Sequence, residues 1–502
     1  MFNLSRLDPL HTSHIAAIDL GSNSFHMIIA KWDHGQLVLL DRLREPVRLG
    51  WGLGSDGALS EDARVRAMAC LEKFGECLRA YPSRSVRIVG TKTLRSISDS
   101  RQFLADAKVR LGHPVEIISG DEEARLVYLG VAHCVAPQEG RRLVVDIGGG
   151  STEIILGKGM LPLLKESLNM GCVAISKKFF LDGKVSEKNI NQALIACLQE
   201  LEPVSESFLQ QGWSEVLGAS GTIKTVGKVC EAAGWSKGDI TLDSLEKIIA
   251  LYSQHGSTDL KIQGVSEDRQ PVFLGGVIVL KALYESLQLE QMQVADWALR
   301  EGLLFDLKGR LENHDIRQAS VDALANRFHV NIDKAKRVEA TALALLDQVA
   351  DGWSLNDTEA SKLLSWATRL YLVGLDIAHN DYHKHSAYIV QHVDLAGCSR
   401  AEQAHLATLV LAHRKRFPIK HFSADSEDLI KVAILLRIAV IFHRGKKNDK
   451  SPPVVIAADK RRIKLHLPQK WLQQHPLTLA DLETEMRYLN DIHYQLELNE
   501  TH

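Results

Sequence analysis

Hydrophobic and polar positions along the chain change their period near residue 310. Before that point, short apolar runs of the kind found in strands alternate with stretches in which apolar residues recur at helical spacing. Ile15–Ile18, Phe25–Trp32 and Leu37–Leu40 are predicted strands. Ser60 then precedes a helical pattern that runs to residue 80, and its hydroxyl is suited to an N-cap. This alternation predicts an α/β layered architecture.

The pattern beyond residue 310 is helical to about residue 445, with few strand signals and several histidines. The turn-rich stretch Gly445–Pro453 is a predicted linker. Beyond it lie two predicted strands, Val454–Ala457 and Arg462–Leu467, and an amphipathic C-terminal segment. We therefore expect four domains, 1–125, 126–310, 311–445 and 446–502.

The most informative stretch is a glycine loop between two apolar runs, Asp146-Ile147-Gly148-Gly149-Gly150-Ser151-Thr152-Glu153. Adjacent glycines let backbone N–H groups form a concavity that approaches an anion closely. A near-copy lies close to the N-terminus, Asp19-Leu20-Gly21-Ser22-Asn23-Ser24. Two such loops predict a duplicated domain pair that holds phosphate from both sides. The aspartates at their base would face the same site and hold a divalent metal directly or through water.

Neither loop has the pattern of the common nucleotide-binding motifs. No Gly-Lys-Ser/Thr follows in the register of a Walker A loop. Neither loop matches GxGxxG, and an apolar strand-like run, not a helix, follows each one. One such loop alone would be as well explained by a tight structural hairpin, whereas two parallel loops favour phosphate binding.

An acidic run, Asp121-Glu122-Glu123, opens a predicted helix. Acidic residues at a helix N-terminus complement its dipole, and Ser119 and Glu122 have the spacing of a capping box. Glu123 is left without such a structural explanation, and a carboxylate near two phosphate loops is suited to activate water. Arg95 is similarly ambiguous, because a guanidinium suits a phosphate oxygen but is also an ordinary solvated charge.

Composition excludes several classes of protein. The chain has 502 residues, of which 45% are hydrophobic and 24% are charged. The net charge of -2 argues against a broad nucleic-acid-binding coat, so no nucleic-acid partner is expected. Seven cysteines without a CxxC pair indicate neither a zinc finger nor a disulfide framework. No signal peptide or transmembrane segment is recognisable, which predicts a cytoplasmic protein, with peripheral membrane contact left open.

These motifs, in this order, resemble the exopolyphosphatase/guanosine pentaphosphate phosphohydrolase family over nearly the whole chain. The resemblance includes the two loops, the segment around Glu123, and three further stretches: Gly218-Ala219-Ser220-Gly221-Thr222, Ala298-Leu299-Arg300-Glu301-Gly302 and His385-Ser386-Ala387-Tyr388. It implies two actin/hexokinase-like (ribonuclease H-type) domains, an all-α HD-like domain and a small C-terminal α+β domain. It also implies a Mg²⁺-dependent hydrolase that acts as a homodimer and releases terminal phosphate from inorganic polyphosphate.

The resemblance also implies roles for individual residues. Glu123 matches the catalytic base. The implied metal ligands are Asp146, Glu153 and Asp19. The implied phosphate-binding residues are Gly21, Ser22, Asn23, Ser24, Arg95, Gly148, Gly149, Gly150, Ser151 and Thr152.

The helical region departs from the family of HD-type domains at one position. Many such domains have His-Asp where this chain has Tyr371-Leu372. Two hard metal ligands are therefore missing, and we interpret this region as a substrate track or dimerisation surface. Its histidines, around His383 and His413, are accordingly expected to be core or surface residues.

Three alternatives to an exopolyphosphatase stay open. The first is a guanosine pentaphosphate phosphohydrolase, although the glycine triplet and the basic stretch His413-Arg414-Lys415 favour the polyphosphatase branch. The second is a small-molecule kinase, because sugar and acetate kinases share the implied fold. The third is a polyphosphate sensor without catalytic activity.

Overall fold

The computed structural model describes residues 14–33, 36–136, 139–312, 314–356, 358–423, 426–445 and 454–501. It divides into two compact units, residues 1–315 and 316–502. The predicted linker at Gly445–Pro453 lies almost wholly outside the described residues. None of the described helices is long and apolar enough to cross a membrane. All seven cysteines are free thiols.

The first unit contains two mixed sheets with the same topology. The first consists of β1 (His14–Leu20), β2 (Phe25–Asp33), β3 (Gln36–Glu45), β4 (Val86–Gly90) and β5 (Glu116–Ile117), in the order β3-β2-β1-β4-β5. The second consists of β6 (Arg141–Ile147), β7 (Thr152–Lys158), β8 (Leu161–Leu168), β9 (Glu215–Ala219) and β10 (Gln293–Val294), in the order β10-β9-β6-β7-β8. In each sheet a three-stranded antiparallel meander is extended by two parallel strands. This repetition fits the predicted duplication of a ribonuclease H-type domain.

Helices connect and cover these strands. They are α1 (Glu61–Leu78), α2 (Lys92–Ser96), α3 (Ser100–Leu111), α4 (Gly120–Cys134), α5 (Cys172–Phe179), α6 (Glu187–Gln211), α7 (Ser220–Ala232), α8 (Leu242–His255), α9 (Gln270–Leu287) and α10 (Leu299–Leu311). Ser60 caps α1 as expected, because its Oγ accepts a hydrogen bond from the N–H of Ala63 at 3.4 Å.

Helices α4 and α10 are packed between the two sheets. One hydrophobic core combines apolar residues of the first sheet, such as Ile15, with residues of the second, such as Val144, and with Leu126 and Leu303 of these two helices. The domain boundary expected near residue 125 falls inside α4, the helix that the acidic run at residues 121–123 was predicted to open. The two sheets are therefore joined by a common core, which fixes both glycine loops relative to α4.

The second unit is helical with a small sheet. Its helices are α11 (Ile316–Arg327), α12 (Ile332–Trp353), α13 (Thr358–Leu370), α14 (Tyr382–His392), α15 (Arg400–Ala412), α16 (Glu427–Phe442), α17 (Gln469–Gln474) and α18 (Pro476–Asn490). Strands β11 (Val455–Asp459), β12 (Arg462–Pro468) and β13 (Gln495–Thr501) form a sheet in that order. Helices and sheet share one hydrophobic core. A buried ion pair between Arg437 and Glu485, with Nη2 and Oε2 2.6 Å apart, joins α16 to α18.

His413 lies in this core, as the sequence interpretation expected of the histidine cluster. Its Nδ1 donates to the carbonyl of Val410 at 2.6 Å, and its Nε2 lies 3.3 Å from the hydroxyl of Tyr382. Tyr371, which with Leu372 replaces the His-Asp pair of many HD-type domains, packs edge-on against the imidazole of His413. The two ring centroids are 5.0 Å apart. Burial lowers the pKa of His413 to about 3.

We expect the second unit to lose stability as the pH falls below about 6.5. The unfolded chain takes up a proton on His413 near that pH, whereas the folded unit resists protonation until about pH 3. The loss should approach roughly 1.4 kcal/mol per pH unit in this range for that one group. Denaturant unfolding followed at several pH values would measure it. A His413→Gln variant should show a shallower slope, and an unchanged slope would contradict the assignment.

Candidate active site

The two glycine loops converge on one cleft in the first unit. The cleft has a volume of about 110 Å³ and is lined by residues of both loops: Gly21, Ser22, Asn23, Ser24, Gly148, Gly149, Gly150 and Ser151. Asp19, Asp146, Glu153 and Glu123 line the same cleft. The structure therefore brings together most of the residues that the sequence analysis selected.

Strand register explains how the aspartates come to face each other. Asp19 is the second-last residue of β1 and pairs with His26 of β2. Asp146 holds the equivalent place on β6, where it pairs with Glu153 of β7. The second hairpin thus places two carboxylates side by side, whereas the first places a carboxylate beside an imidazole.

Backbone hydrogen bonds hold both loops in shape. The carbonyls of Ser22 and Asn23 accept from the N–H groups of Gly50 and Arg48 at 2.7 and 2.8 Å. The carbonyl of Gly149 accepts from the first turn of α5, with the N–H of Val173 at 2.9 Å. The N–H of Gly148 donates within its own loop, to the carbonyl of Ser151 at 3.0 Å. The other N–H groups of the loops are therefore the backbone donors that could bind a phosphate.

The loops touch each other at Gly149. A Cβ atom on Gly149 would lie 2.8 Å from the Cβ of Ser22 and 3.3 Å from Val173 Cγ2. Glycine is therefore required here by the close approach of the two loops.

A Gly149→Ala variant is expected to lower kcat/KM by about tenfold or more, because the added methyl group pushes the loops apart and misplaces the phosphate-binding groups. Phosphate-release kinetics would measure the change, and the melting temperature would report whether the fold is retained. Native kinetics in a folded variant would show that the loops do not act as one site.

Glu123 reaches the cleft from the first turn of α4. The Oγ of Ser119 caps this helix by accepting from the N–H of Glu122 at 3.1 Å. The Glu122 carboxylate forms a two-pronged ion pair with Arg125, at 2.7 and 2.8 Å, which gives it a structural role in the core. Glu123, the next residue along the helix, accepts from Arg95 Nη1 at 3.0 Å.

Burial and mutual repulsion between the carboxylates make negative charge unfavourable in the cleft. Burial, followed by the charge of Glu123, raises the pKa of Asp19 to about 7. Burial also raises the pKa of Glu123 to about 7; the guanidinium of Arg95 opposes this shift and the charge of Asp146 adds to it. Burial and then the charge of Glu123 raise the pKa of Glu153 well above its ordinary value. Such shifts are typical of active sites.

Two predicted phosphate ligands do not line the cleft. Thr152 is the first residue of β7, and its buried hydroxyl donates to the carbonyl of Met170 at 2.5 Å. The Thr152 hydroxyl therefore joins the start of β7 to the segment that follows β8. Arg95 donates to the carbonyl of Ile118 at 2.9 Å and to Glu123, so in this structure it contacts the carboxylate instead of the cleft itself.

Sequence reasoning assigned no role to several residues that the structure places at the site. His26 and Arg269 line the cleft, as does Ser220 at the start of α7. Ser220 adopts a left-handed conformation (φ 66°), a costly geometry for a residue with a side chain. Its side chain hydrogen-bonds to Asp146 and opposes the rise in the pKa of that carboxyl, which burial causes. The sequence signal for a role of Ser220 was its place in the glycine-containing motif at residues 218–222.

Arg300, on α10, also contacts the site from outside. Its Nη1 lies 3.2 Å from Nδ1 of His26, which must accept this hydrogen bond. Burial, and then the charge of Arg300, lower the pKa of His26 well below its ordinary value. His26 is therefore a neutral imidazole held in one orientation.

Comparison with known proteins places this geometry in a family. The profile of the Ppx/GppA phosphatase family matches residues 28–311, and that of Ppx/GppA phosphatase, domain III, matches residues 316–486. A protein of Pseudoalteromonas translucida named guanosine-5'-triphosphate,3'-diphosphate pyrophosphatase is 37% identical over 491 residues, 96% of this chain and 98% of the relative. A protein of the same name from Vibrio cholerae serotype O1 is 37% identical over 487 residues, 96% of this chain and 97% of the relative.

Solved structures give a second comparison. An exopolyphosphatase from Cytophaga hutchinsonii superposes with a TM-score of 0.54 at 25% identity, over 59% of this chain and 98% of its own. The Aquifex aeolicus PPX-GPPA enzyme superposes with a TM-score of 0.50 at 27% identity, over 58% of this chain and 98% of its own. The chain therefore belongs to the Ppx/GppA phosphatase family and is, as the sequence predicted, a hydrolase.

Proposed function

We propose that this hydrolase removes the terminal 5'-phosphate from guanosine pentaphosphate, the 5'-triphosphate,3'-diphosphate of guanosine. The observation that carries the proposal is the convergence of two phosphate-binding loops and the Glu123 carboxylate on one cleft. The choice of nucleotide is supported by relatives of that name, which are 37% identical over nearly the full length. The sequence analysis favoured polyphosphate, and these relatives shift the weight to its first alternative.

Glu123 is the proposed general base. Its carboxylate orients a water molecule and accepts a proton as the water oxygen bonds to the terminal phosphorus. The bond from that phosphorus to the bridging oxygen breaks, and this oxygen leaves with the shortened substrate. The N–H groups of both loops hold the oxygens of the phosphoryl group as charge develops on them.

We propose Mg²⁺ as the cofactor, with Asp19, Asp146 and Glu153 as the residues that would hold it. One carboxylate oxygen of Asp19 and one of Asp146 are buried and lack a hydrogen-bond partner among the described residues, which fits an oxygen-seeking cation. Within the described parts of the chain, no three His, Cys, Asp or Glu side chains are grouped so as to enclose a metal. Mg²⁺ commonly takes one or two carboxylates directly, with water and substrate phosphates, so some of these three residues would hold it through water. Bound there, Mg²⁺ would neutralise charge on the phosphate oxygens.

Inorganic polyphosphate is the second candidate substrate. The solved Cytophaga hutchinsonii relative is named an exopolyphosphatase, and a terminal phosphoryl group of polyphosphate presents the same anhydride bond to the cleft.

Orthophosphate release from guanosine pentaphosphate and from polyphosphate, with and without Mg²⁺, tests the proposal. We expect release from the nucleotide that requires Mg²⁺ and stops with a chelator, because a bound cation would offset the repulsion between the carboxylates that line the cleft and the phosphate oxygens. Phosphate transfer to an added sugar or acetate would instead identify a kinase. Tight polyphosphate binding without release would identify a sensor.

We further infer that the helical part of the second unit is an HD-like domain without metal-dependent activity, and that the protein is a homodimer. The first inference is supported by Tyr371 and Leu372 in place of a His-Asp pair, with Tyr371 buried in the core. Analytical ultracentrifugation would test the homodimer, because the molar mass obtained from sedimentation would be twice that of the monomer. A cytoplasmic location stays a prediction.

A further inference from the structure

A second pocket, which we call the basic pocket, opens directly beside the cleft. It has a volume of about 400 Å³ and shares Asp19, His26, Ser220, Gly221, Arg269 and Leu299 with the cleft. The basic pocket is therefore adjacent to the place where the terminal phosphoryl group of a substrate would lie.

The lining of the basic pocket is strongly cationic. Six of its side chains carry a positive charge, Arg42, Arg44, Lys224, Lys228, Arg269 and Arg300, whereas Asp19 is the one acidic residue among the described residues that line it. Two of the six are partly neutralised from outside the pocket. Arg42 Nη2 lies 3.6 Å from Glu301 Oε1, and Arg44 forms an ion pair with Asp268. The remaining positive charge makes the pocket favourable for a polyanion.

Three separate elements position these cations. Arg42 and Arg44 alternate along β3, Lys224 and Lys228 are one turn apart on α7, and Arg300 lies on α10. The remaining cation, Arg269, depends on a glycine. A Cβ atom on Gly221 would lie 1.5 Å from Nη2 of Arg269, so any side chain at 221 would displace the guanidinium.

The chemistry of the lining also excludes one kind of ligand. Purine pockets offer an aromatic or broad apolar face to the base. The described residues that line the basic pocket include no Phe, Tyr or Trp. Among these residues, the aliphatic side chains are those of Leu43, Ala298 and Leu299. Phosphate oxygens match this lining better than a nucleobase does, because lysine and arginine donors form charge-assisted hydrogen bonds to them.

We propose that the basic pocket binds the phosphates of the leaving group, a run of two or more phosphates beyond the one that is hydrolysed. This inference rests on the proposed function and assigns a specificity subsite to it. The same chemistry is offered by an inorganic polyphosphate chain and by the phosphates of guanosine pentaphosphate. Arg42, Arg44, Lys224 and Lys228 are specificity residues, since they lie outside the cleft in which the phosphorus reacts.

Lys228 is the residue to test, because it is exposed and its replacement should leave the fold intact. Lys261, an exposed lysine that lines neither the cleft nor the basic pocket, is the matched control. Lys228→Gln, Lys228→Glu and Lys261→Gln would each be made in a Glu123→Gln background, so that binding is measured without turnover. Isothermal titration with orthophosphate, long-chain polyphosphate and guanosine pentaphosphate would give the dissociation constants.

We expect Lys228→Gln to weaken binding of the long ligand about tenfold and Lys228→Glu to weaken it further, with orthophosphate binding unchanged. Lys261→Gln should change neither. A loss confined to polyphosphate would identify the inorganic chain as the occupant, and a loss confined to the nucleotide would identify its phosphates. Equal affinities in the Lys228 and Lys261 variants for both long ligands would overturn the proposal.

The proposed function fails separately. If the wild-type protein releases no orthophosphate from guanosine pentaphosphate or from polyphosphate, the proposed function is refuted, whatever the titrations show. Conversely, substrate turnover together with identical titrations for the Lys228 and Lys261 variants would retain the function and remove the subsite.

Discussion

A Glu123→Gln variant is expected to keep its affinity for substrate and to lose kcat by about a hundred- to ten-thousandfold. Glutamine has nearly the shape of glutamate, and its side-chain oxygen can still accept the hydrogen bond that Arg95 donates at 3.0 Å. What it lacks is the basic oxygen that accepts the proton of the attacking water. Because a base acts chiefly in the transition state, kcat and kcat/KM should fall together.

The matched control is Asp121→Asn, which removes a carboxylate from the same first turn of α4 but outside the cleft. Initial rates of orthophosphate release would be compared at saturating and limiting substrate, and titration of the substrate would show whether binding persists. Near-native kcat for Glu123→Gln would refute its role as the base. A fall in substrate affinity without a fall in kcat would make Glu123 a binding residue instead.

The sequence could predict those parts of the cleft whose residues are neighbours along the chain. An aspartate, a glycine loop and a second apolar run are contiguous in each hairpin, so Asp19 and Gly21, or Asp146 and Gly149, must lie together wherever the hairpin lies. The duplication of the motif then indicated two equivalent hairpins, and the structure places them in contact at Ser22 and Gly149.

Contacts between distant segments could not be predicted in this way. Arg95 and Glu123 are 28 residues apart, and Arg300 meets His26 across 274 residues, so no spacing rule relates them. The resemblance implied that Thr152 binds phosphate. In the structure Thr152 pairs with Ile147 in the hairpin, and its hydroxyl donates to the carbonyl of Met170, which lies beyond β8.

Strand β8 and helix α5 were missed for a similar reason. Strand β8 is an edge strand with a proline at position 162 and exposed leucines at 161 and 163, so its pattern lacks clean alternation. Helix α5 is short, and the N–H groups of its first turn donate to the carbonyls of Gly148 and Gly149. Helix propensity, which depends only on the local sequence, does not include this contact with a distant loop. The strand pattern that the sequence did show, in β1, β2, β6 and β7, comes from buried apolar runs.

The second large effect is expected from Asp306→Asn, which should destabilise the first unit by about 3–5 kcal/mol. Asp306 lies on α10 and is buried, and its carboxylate forms ion pairs with Arg87 and Arg125 and accepts from Arg310 Nε at 2.9 Å. Glu122 and Glu116 complete the network, so three arginines face three acids. Removing one carboxylate leaves a buried positive charge without compensation.

The dependence of this effect on pH identifies its cause. Burial alone would raise the pKa of Asp306, but the guanidinium groups of Arg87, Arg125 and Arg310 outweigh it and hold the pKa below its usual range. The ion pairs therefore stabilise the fold fully above about pH 4, where the unfolded carboxylate is also ionised, and are lost progressively as the pH falls below that value. Asp306→Asn should remove this part of the acid sensitivity, so that wild-type and variant stabilities converge towards low pH.

Denaturant unfolding at pH 7 and at pH 3 would measure both effects, with Asp62→Asn as the control. Asp62 forms an exposed pair with Arg66 on α1, and exposed pairs contribute about 0–1 kcal/mol. Catalysis should respond as well, because α4 holds Glu122 and Arg125 in the network and Glu123 in the cleft, so that a loosened network misplaces the base. An Asp306→Asn variant that unfolds like the Asp62 control at pH 7 would contradict the predicted contribution of this network to stability.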